Sequence, residues 1–321
     1  MDFLELYREC RLCPRKCGVN RLEQGPGARA GFCGEGHQPR IAYLGPHFGE
    51  EPPISGDRGS GTIFFSGCTL QCPYCQNHQI SRGGIGNPVD IDDLVVMAVD
   101  MVRRDRVHNI NLVTPDHFFP HVFQFVSALR EQGCLLPVVY NLSGYQSLSM
   151  LRKAEPYADI YLPDYKYGDA DLCLRLSRCS DYPKVALEAI CEMVRQKGFL
   201  NVFEKGDTVA GRGVLVRHLI LPSMVENSIQ ALTALFLEFG PGLPLSLMSQ
   251  YTPTVPSKIE GLNRSVTRTE FEQVYSHALD LGFENFFVQF PGQDKSDPAQ
   301  VSPFLPDFRL EQPFSPKNPP N

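Results

Sequence analysis

Residues 62–75 read TIFFSGCTLQCPYC, and this stretch decides the fold. Thr62 to Ser66 is a short apolar run of strand type. It leads through Gly67 directly into Cys68, Cys72 and Cys75. Pro73 disfavours helical geometry at Cys72, so the three thiols lie on a loop. At this spacing three thiolates reach three corners of a cubane iron–sulfur cluster. With eleven cysteines in 321 residues, such a triplet arises by chance roughly 0.01 times per chain. Three ligands rather than four leave one iron open to a substrate or cofactor.

Outward from this loop, strand-like and helical patterns alternate. Asp90 reads as an N-cap, followed by Ile91, Leu94, Val95, Ala98, Met101 and Val102 at helical spacing. Asn109 to Thr114 is strand-like and stops at Pro115; His117 to Gln132 is helical. Val138 to Leu142, Ile160 to Leu162, Val214 to Leu221, Leu245 to Gln250 and Phe286 to Gln289 read as further strands. Helices are predicted over 147–154, 170–178, 183–197, from about Ile229 to Phe239, and after a capping box at Thr269 and Glu272. Six or seven βα units imply an α/β fold with a parallel sheet, closed as a full or partial barrel or open and doubly wound. In either case sites lie at the C-terminal strand ends.

Composition removes other classes. The chain is 42% apolar, too much for disorder, and its net charge of −6 gives no general attraction to nucleic acid. No run of 18 apolar residues is present, so no membrane span is expected. The N-terminus, MDFLELYRECRLC, mixes charges into its first ten residues and lacks the apolar core of a signal peptide. A cytoplasmic location is therefore expected. An odd cysteine count without an export signal disfavours a disulfide framework.

The loop resembles the signature of the radical S-adenosylmethionine superfamily, C-x3-C-x-aromatic-C, through Cys68, Cys72, Tyr74 and Cys75. More narrowly, GTIFFSGCTLQCPYCQNHQIS and the N-terminal CRLCPRKCGVNR look like uncharacterised iron–sulfur relatives of pyruvate formate-lyase activating enzymes. The likeness covers residues 10 to 290. It implies a partial (β/α)6 TIM-like barrel of parallel strands. It also implies a [4Fe-4S] cluster whose open iron chelates S-adenosylmethionine, and cleavage to a 5′-deoxyadenosyl radical that abstracts hydrogen from a substrate. The relatives point to a protein or peptide as that substrate, and to a one-electron donor such as flavodoxin or ferredoxin as partner. The alternative class is a non-catalytic electron carrier or metal-stabilised interaction protein with closed clusters.

By the same resemblance Tyr74 packs on adenine, Asn141 lies in a polar turn after the third strand, and Asp164 and Lys166 form the fourth-strand Asp-x-Lys. Lys166 and Arg217 would face the methionine carboxylate, the plain alternative being solvated or salt-bridged strand-end charges. The family's Gly-Gly-Glu segment is replaced by Thr114-Pro115-Asp116-His117, leaving Asp116 or a backbone carbonyl for that contact.

Residues 1–55 are rich in Gly, Pro, Arg and Cys and read as a loop-dominated module, with the barrel at 56–290 and a Pro-rich tail at 291–321. Cys10, Cys13, Cys17 and Cys33 supply four thiols from a segment without its own core, suited to zinc or to a second iron–sulfur cluster. Cys134, Cys173, Cys179 and Cys191 read as buried small hydrophobes. His117 and His121 share a helical face but lack the Glu of a zinc-protease motif, so they read as core or surface histidines.

Overall fold

A computed structural model describes residues 3–23, 30–202, 208–292 and 305–314. Its centre is a run of parallel strands. The first is β2 (Ser60–Phe65), preceded by β1 (Arg40–His47). Then come β3 (Asn87–Pro88), β4 (Ile110–Val113), β5 (Val138–Leu142), β6 (Ile160–Pro163), β7 (Gly213–Val214), β8 (Val216–Leu219), β9 (Leu245–Met248) and β10 (Phe286–Gln289). One sheet has the order β3-β1-β2-β4-β5-β6-β7 and the other β10-β9-β8. β7 and β8 are separated only by Leu215, and Asp164 bridges to Arg217 in parallel, so the two sheets follow one curved wall. No strand ladder joins β10 back to β1–β3 among the described residues, which leaves the barrel partial.

The strand sequences explain this arrangement. β2, β4 and β6 are buried at every position, as expected for parallel strands covered on both faces. The helices between them pack outside: α3 (Ile91–Asp105), for example, buries Leu94, Val95, Ala98 and Met101. Asp90 is its N-cap residue, and Arg106 ends it in a left-handed conformation. α4 (Phe119–Glu131) follows a single 3₁₀ turn over Asp116–Phe118, so the helix read from His117 begins two residues later.

Two sequence expectations need correction. The capping box of the last helix (Arg268–Leu281) uses Thr267 and Glu270, not Thr269 and Glu272. Thr267 has the extended backbone that an N-cap requires, whereas Thr269 already lies inside the helix. The second correction concerns the segment before residue 56. β1 pairs antiparallel with β2 over Ile41 to His47, so residues 40–47 belong to the sheet and not to loops. After it, α1 (Pro52–Ser55) places Ile54 among Val139, Ile160, Leu162 and Leu215 inside the barrel. This turn plugs the N-terminal end of the barrel and carries Glu50 and Glu51 to the floor of the space above. The C-terminal segment also packs on the barrel: Phe308 and Phe314 each lie 5.3 Å from the Phe64 ring.

Among the described residues no helix is long and apolar enough to cross a membrane.

Candidate functional site

Period-two alternation aims the same residues of successive strands inward. Phe64, Val113, Asn141, Asp164, Arg217, Ser246 and Gln289 line one cavity of about 550 Å³ at the C-terminal strand ends. Its mouth is formed by the loop after β2, with Cys68, Cys72, Tyr74 and Cys75. Thus the sequence-selected Tyr74, Asn141, Asp164, Lys166 and Arg217 all meet the three thiols on one surface.

Burial pushes the Cys68 and Cys75 thiols up, and repulsion from neighbouring thiolates adds to it. Such a set holds protons until a metal takes the thiolates. The Leu70 N–H points at Cys68 Sγ (3.4 Å), and Ser177 Oγ lies 3.2 Å from Cys72 Sγ. Lys166 Nζ donates to Asp164 Oδ2 at 2.5 Å. Burial alone would lower its pKa, but Asp164 and the thiolates of Cys72 and Cys75 hold it above the ordinary lysine range. It is a fixed cation beside the thiol loop.

Tyr74 is buried, its ring edge-on to Tyr167 and Tyr251, and its hydroxyl donates to the Tyr167 hydroxyl at 2.7 Å. Asn141 Nδ2 donates to Glu50 Oε1 at 3.4 Å. Asn77 and Gln289 line the cavity, and their Oδ1 and Oε1 atoms are buried with no hydrogen-bond partner among the described residues. Polar side chains lining a cavity suit a polar ligand. The donor set therefore fits a thiolate-bound cluster with a polar organic ligand beside it.

Arg217 differs from expectation. Its guanidinium is already engaged: Nε donates to Glu51 Oε1 at 2.9 Å and Nη2 to Glu50 Oε2 at 2.5 Å, with a further contact to Glu51 Oε2. Burial would raise the Glu51 pKa, but Arg217 and Ser246 more than offset it and hold the carboxyl below its usual range. Arg217 thus braces the cavity floor, leaving Lys166 as the cation near the thiols. The two glutamates escaped sequence reading because adjacent carboxylates before a Pro-Pro pair look like a solvated loop; only the plug makes them interior.

Asp116 is absent from the cavity lining. It accepts from Thr69 Oγ1 at 3.2 Å beneath the cysteine loop, while Thr114, at φ 56°, lines the cavity instead. His117 and His121 are both buried; Nε2 of the first lies 2.7 Å from the Ser66 carbonyl, and Nδ1 of the second 2.9 Å from the Tyr7 hydroxyl. Cys173 and Cys179 are buried with sulfurs 3.3 Å apart, whereas Cys134 and Cys191 are only partly buried.

The N-terminal cysteines gather behind this loop. Cys10 and Cys33 are buried, Cys13 is intermediate and Cys17 exposed. Arg21, 1% exposed, lies between them and the barrel, with Nη1 3.7 Å from Cys10 Sγ and donating to the His117 carbonyl at 2.6 Å.

Comparison with known proteins adds the following. Residues 55–161, which contain Cys68, Cys72 and Cys75, match the family described as a 4Fe-4S single cluster domain. The uncharacterized protein MJ0674 of Methanocaldococcus jannaschii is 25% identical over 292 residues, spanning 87% of this chain and 78% of that protein. Among solved structures, Streptococcus suis SuiB bound to S-adenosylmethionine is similar at a TM-score of 0.48 and 11% identity, covering 72% of this chain. The chain spans about half of SuiB's length, 50%. A domain of pyruvate-formate lyase-activating enzyme from Bacteroides vulgatus is similar at a TM-score of 0.35 and 12% identity, covering 53% of this chain and 92% of that domain.

Proposed function

We propose that this chain is a radical S-adenosylmethionine enzyme. The observation that carries the reading is a loop with three thiols, not four, at the mouth of a cavity large enough for a nucleoside sulfonium. Cys68, Cys72 and Cys75 would hold a [4Fe-4S] cluster with one iron unsaturated by protein. When bound, the cluster supplies one electron to the sulfonium, giving methionine and a 5′-deoxyadenosyl radical that takes hydrogen from the substrate.

The chain's own residues do the rest. Lys166 sits beside the thiols, where it can oppose the ligand's carboxylate while Asp164 fixes its position. Tyr74 presents a buried ring to the cavity, and Asn77 and Gln289 line it with polar side chains. Phe64, Val113 and Met248 line the cavity with apolar surface and exclude water from a reactive intermediate. The hydrogen donor is a protein or peptide segment, an extension that rests on the resemblance to activating enzymes.

The test is anaerobic incubation of the reconstituted protein with S-adenosylmethionine and dithionite. The expected product is 5′-deoxyadenosine. A protein that reduces and reoxidises but releases no nucleoside is instead an electron carrier with a closed cluster.

A further inference from the structure

We propose that Ser177 is a positioning residue for the thiol loop: its hydroxyl donates a hydrogen bond to the Cys72 sulfur and raises the reduction potential of the cluster held there. The inference rests on the reading above, since it needs a cluster on Cys68, Cys72 and Cys75.

Ser177 is the last residue of the helix over Ala170–Ser177 and is 1% exposed. It lies 105 residues along the chain from Cys72, so no local spacing pairs the two. In the fold its Oγ is 3.2 Å from Cys72 Sγ and 2.7 Å from the Tyr167 hydroxyl. The Tyr74 hydroxyl donates to the Tyr167 hydroxyl at 2.7 Å. Each hydroxyl carries a single hydrogen. Tyr167 accepts from Tyr74, and its own hydrogen goes to Ser177, which is nearer than Cys72 Sγ at 3.7 Å. The Ser177 hydrogen is then left for the sulfur. A free Cys72 thiol can reverse this last link by donating to Ser177. A thiolate bound to metal has no hydrogen to give, so binding sets all three hydroxyls in one direction, toward the sulfur. Hydrogen bonds running the same way polarise one another and strengthen the last.

The end of that helix is tied to the thiol loop by one guanidinium. Arg15 donates through Nη2 to the Ser177 carbonyl at 2.5 Å and through Nη1 to the Arg178 carbonyl at 2.6 Å. Its Nε donates to the Thr69 carbonyl, within the loop, at 3.0 Å. The guanidinium carbon lies 3.8 Å from the centre of the Phe32 ring, which covers it. Arg178 closes the helix in the left-handed conformation, with its N–H on the Leu174 carbonyl. Carbonyls left over at a helix end favour such a cation. Movement of Ser177 relative to Cys72 is therefore opposed from the helix side and from the loop side at once.

The direction of the effect follows from charge. Reduction adds one electron to the cluster from a low-potential one-electron donor, and the Ser177 proton stays on its oxygen. A donor aimed at a ligand sulfur interacts more strongly with the more negative, reduced state. The hydrogen bond therefore makes the cluster easier to reduce, which is how contacts to ligand sulfurs set the potential of such groups.

The experiment is a potentiometric titration of the full chain, reconstituted anaerobically with iron and sulfide, in wild type, Ser177→Ala and Tyr167→Phe. Dithionite is the reductant, and the electron paramagnetic resonance signal that Cys72→Ala abolishes reports the cluster. Iron content should be the same in the three proteins. At a fixed solution potential the ratio of reduced to oxidised cluster should fall about tenfold in Ser177→Ala, a shift of about 59 mV for one electron. Tyr167→Phe keeps Ser177 and removes the hydroxyl that orients it, so its shift should have the same sign and be smaller. Ser177→Ala with a lowered melting temperature and an unchanged potential means that the serine only packs, and overturns the proposal. A shift in Tyr167→Phe as large as that in Ser177→Ala makes the phenol the donor and overturns the assignment to Ser177. Wild type that takes up no iron sinks the cluster reading and this inference together, whereas wild type with its iron and two unshifted variants sinks this inference alone.

Discussion

The two cysteine groups share a chemistry but differ in what surrounds them. Cys68, Cys72 and Cys75 face a cavity that Lys166, Asn77 and Gln289 also line. Cys10, Cys13, Cys17 and Cys33 back onto Arg21, whose guanidinium also lies over the Tyr7 and Phe118 rings. One group has three thiols and room for a ligand; the other has four and is sealed against the barrel on its inner side. The same side chain would thus suit an open metal site or a closed one according to ligand count and what faces it.

The hardest blow to this contrast is Cys72→Ala. It removes one corner of the open site, and deoxyadenosine release should fall at least about 10³-fold, measured by chromatography of the quenched reaction. Any metal held by Cys10, Cys13, Cys17 and Cys33 should stay bound. If both metals are lost together, the two groups are one cooperative unit and the contrast fails.

Next in size is the cavity floor. Arg217→Ala strands Glu50 and Glu51 as buried carboxylates and should cost about 3–5 kcal/mol, read from urea or thermal melts. Pairing it with Glu51→Gln should recover part of that loss, because one stranded charge is gone. The pH dependence has a definite sign. Glu51 titrates lower in the folded chain than in the unfolded one, where a glutamate titrates near 4.3. Its contribution is therefore fully present above that value and is lost as pH falls through the lower folded pKa. Melts at descending pH should show a loss of stability below about pH 4 that is shallower in Glu51→Gln.

How much of this was legible in sequence follows from the physics of each part. β5 and β10 were readable to the residue because short apolar runs bounded by Pro, Asn or Gly signal strands, buried in β5 and half-buried in β10. β1 was not, since RIAYLGPH carries Gly45 and Pro46 and is an antiparallel strand of mixed burial. The thiol loop announced itself through spacing alone, whereas Asn141, Asp164 and Lys166 came only from the family resemblance. Arg217 was found, but not its partners. Glu50 and Glu51 become functional only through a long-range event, the insertion of Ile54 into the barrel, and no local pattern encodes that. Of the two groups read for the Gly-Gly-Glu contact, Asp116 lies outside the cavity lining, which leaves the backbone carbonyl; which way a residue after a strand turns depends on what the N-terminal segment packs against.

The seam between the two cysteine groups gives a smaller effect. Gly67 has φ 80°, and a Cβ there would sit 2.4 Å from Glu35 Cγ and 2.8 Å from the Cys33 carbonyl. Gly67→Ala should cost about 1–3 kcal/mol through backbone strain and separation of the loops. A thermal melt checks the stability. Iron counts check that the loss is of docking rather than of ligands.

The finest distinction lies within the open site, at Tyr74. Its hydroxyl begins a chain: Tyr74 to Tyr167 at 2.7 Å, Tyr167 to Ser177 at 2.7 Å, and Ser177 to Cys72 Sγ at 3.2 Å. Tyr74→Phe keeps the ring against the cavity and removes only the first hydroxyl. The cost should be about 1 kcal/mol of stability, the net value of one hydrogen bond, with KM for S-adenosylmethionine changed less than about twofold. Tyr74→Leu removes the ring and should raise KM several times more. Equal losses in the two variants would mean that Tyr74 acts through the hydroxyl chain that steadies Cys72 and not through its aromatic face. The open site would then hold its ligand without the stacking surface that sets it apart from the sealed one.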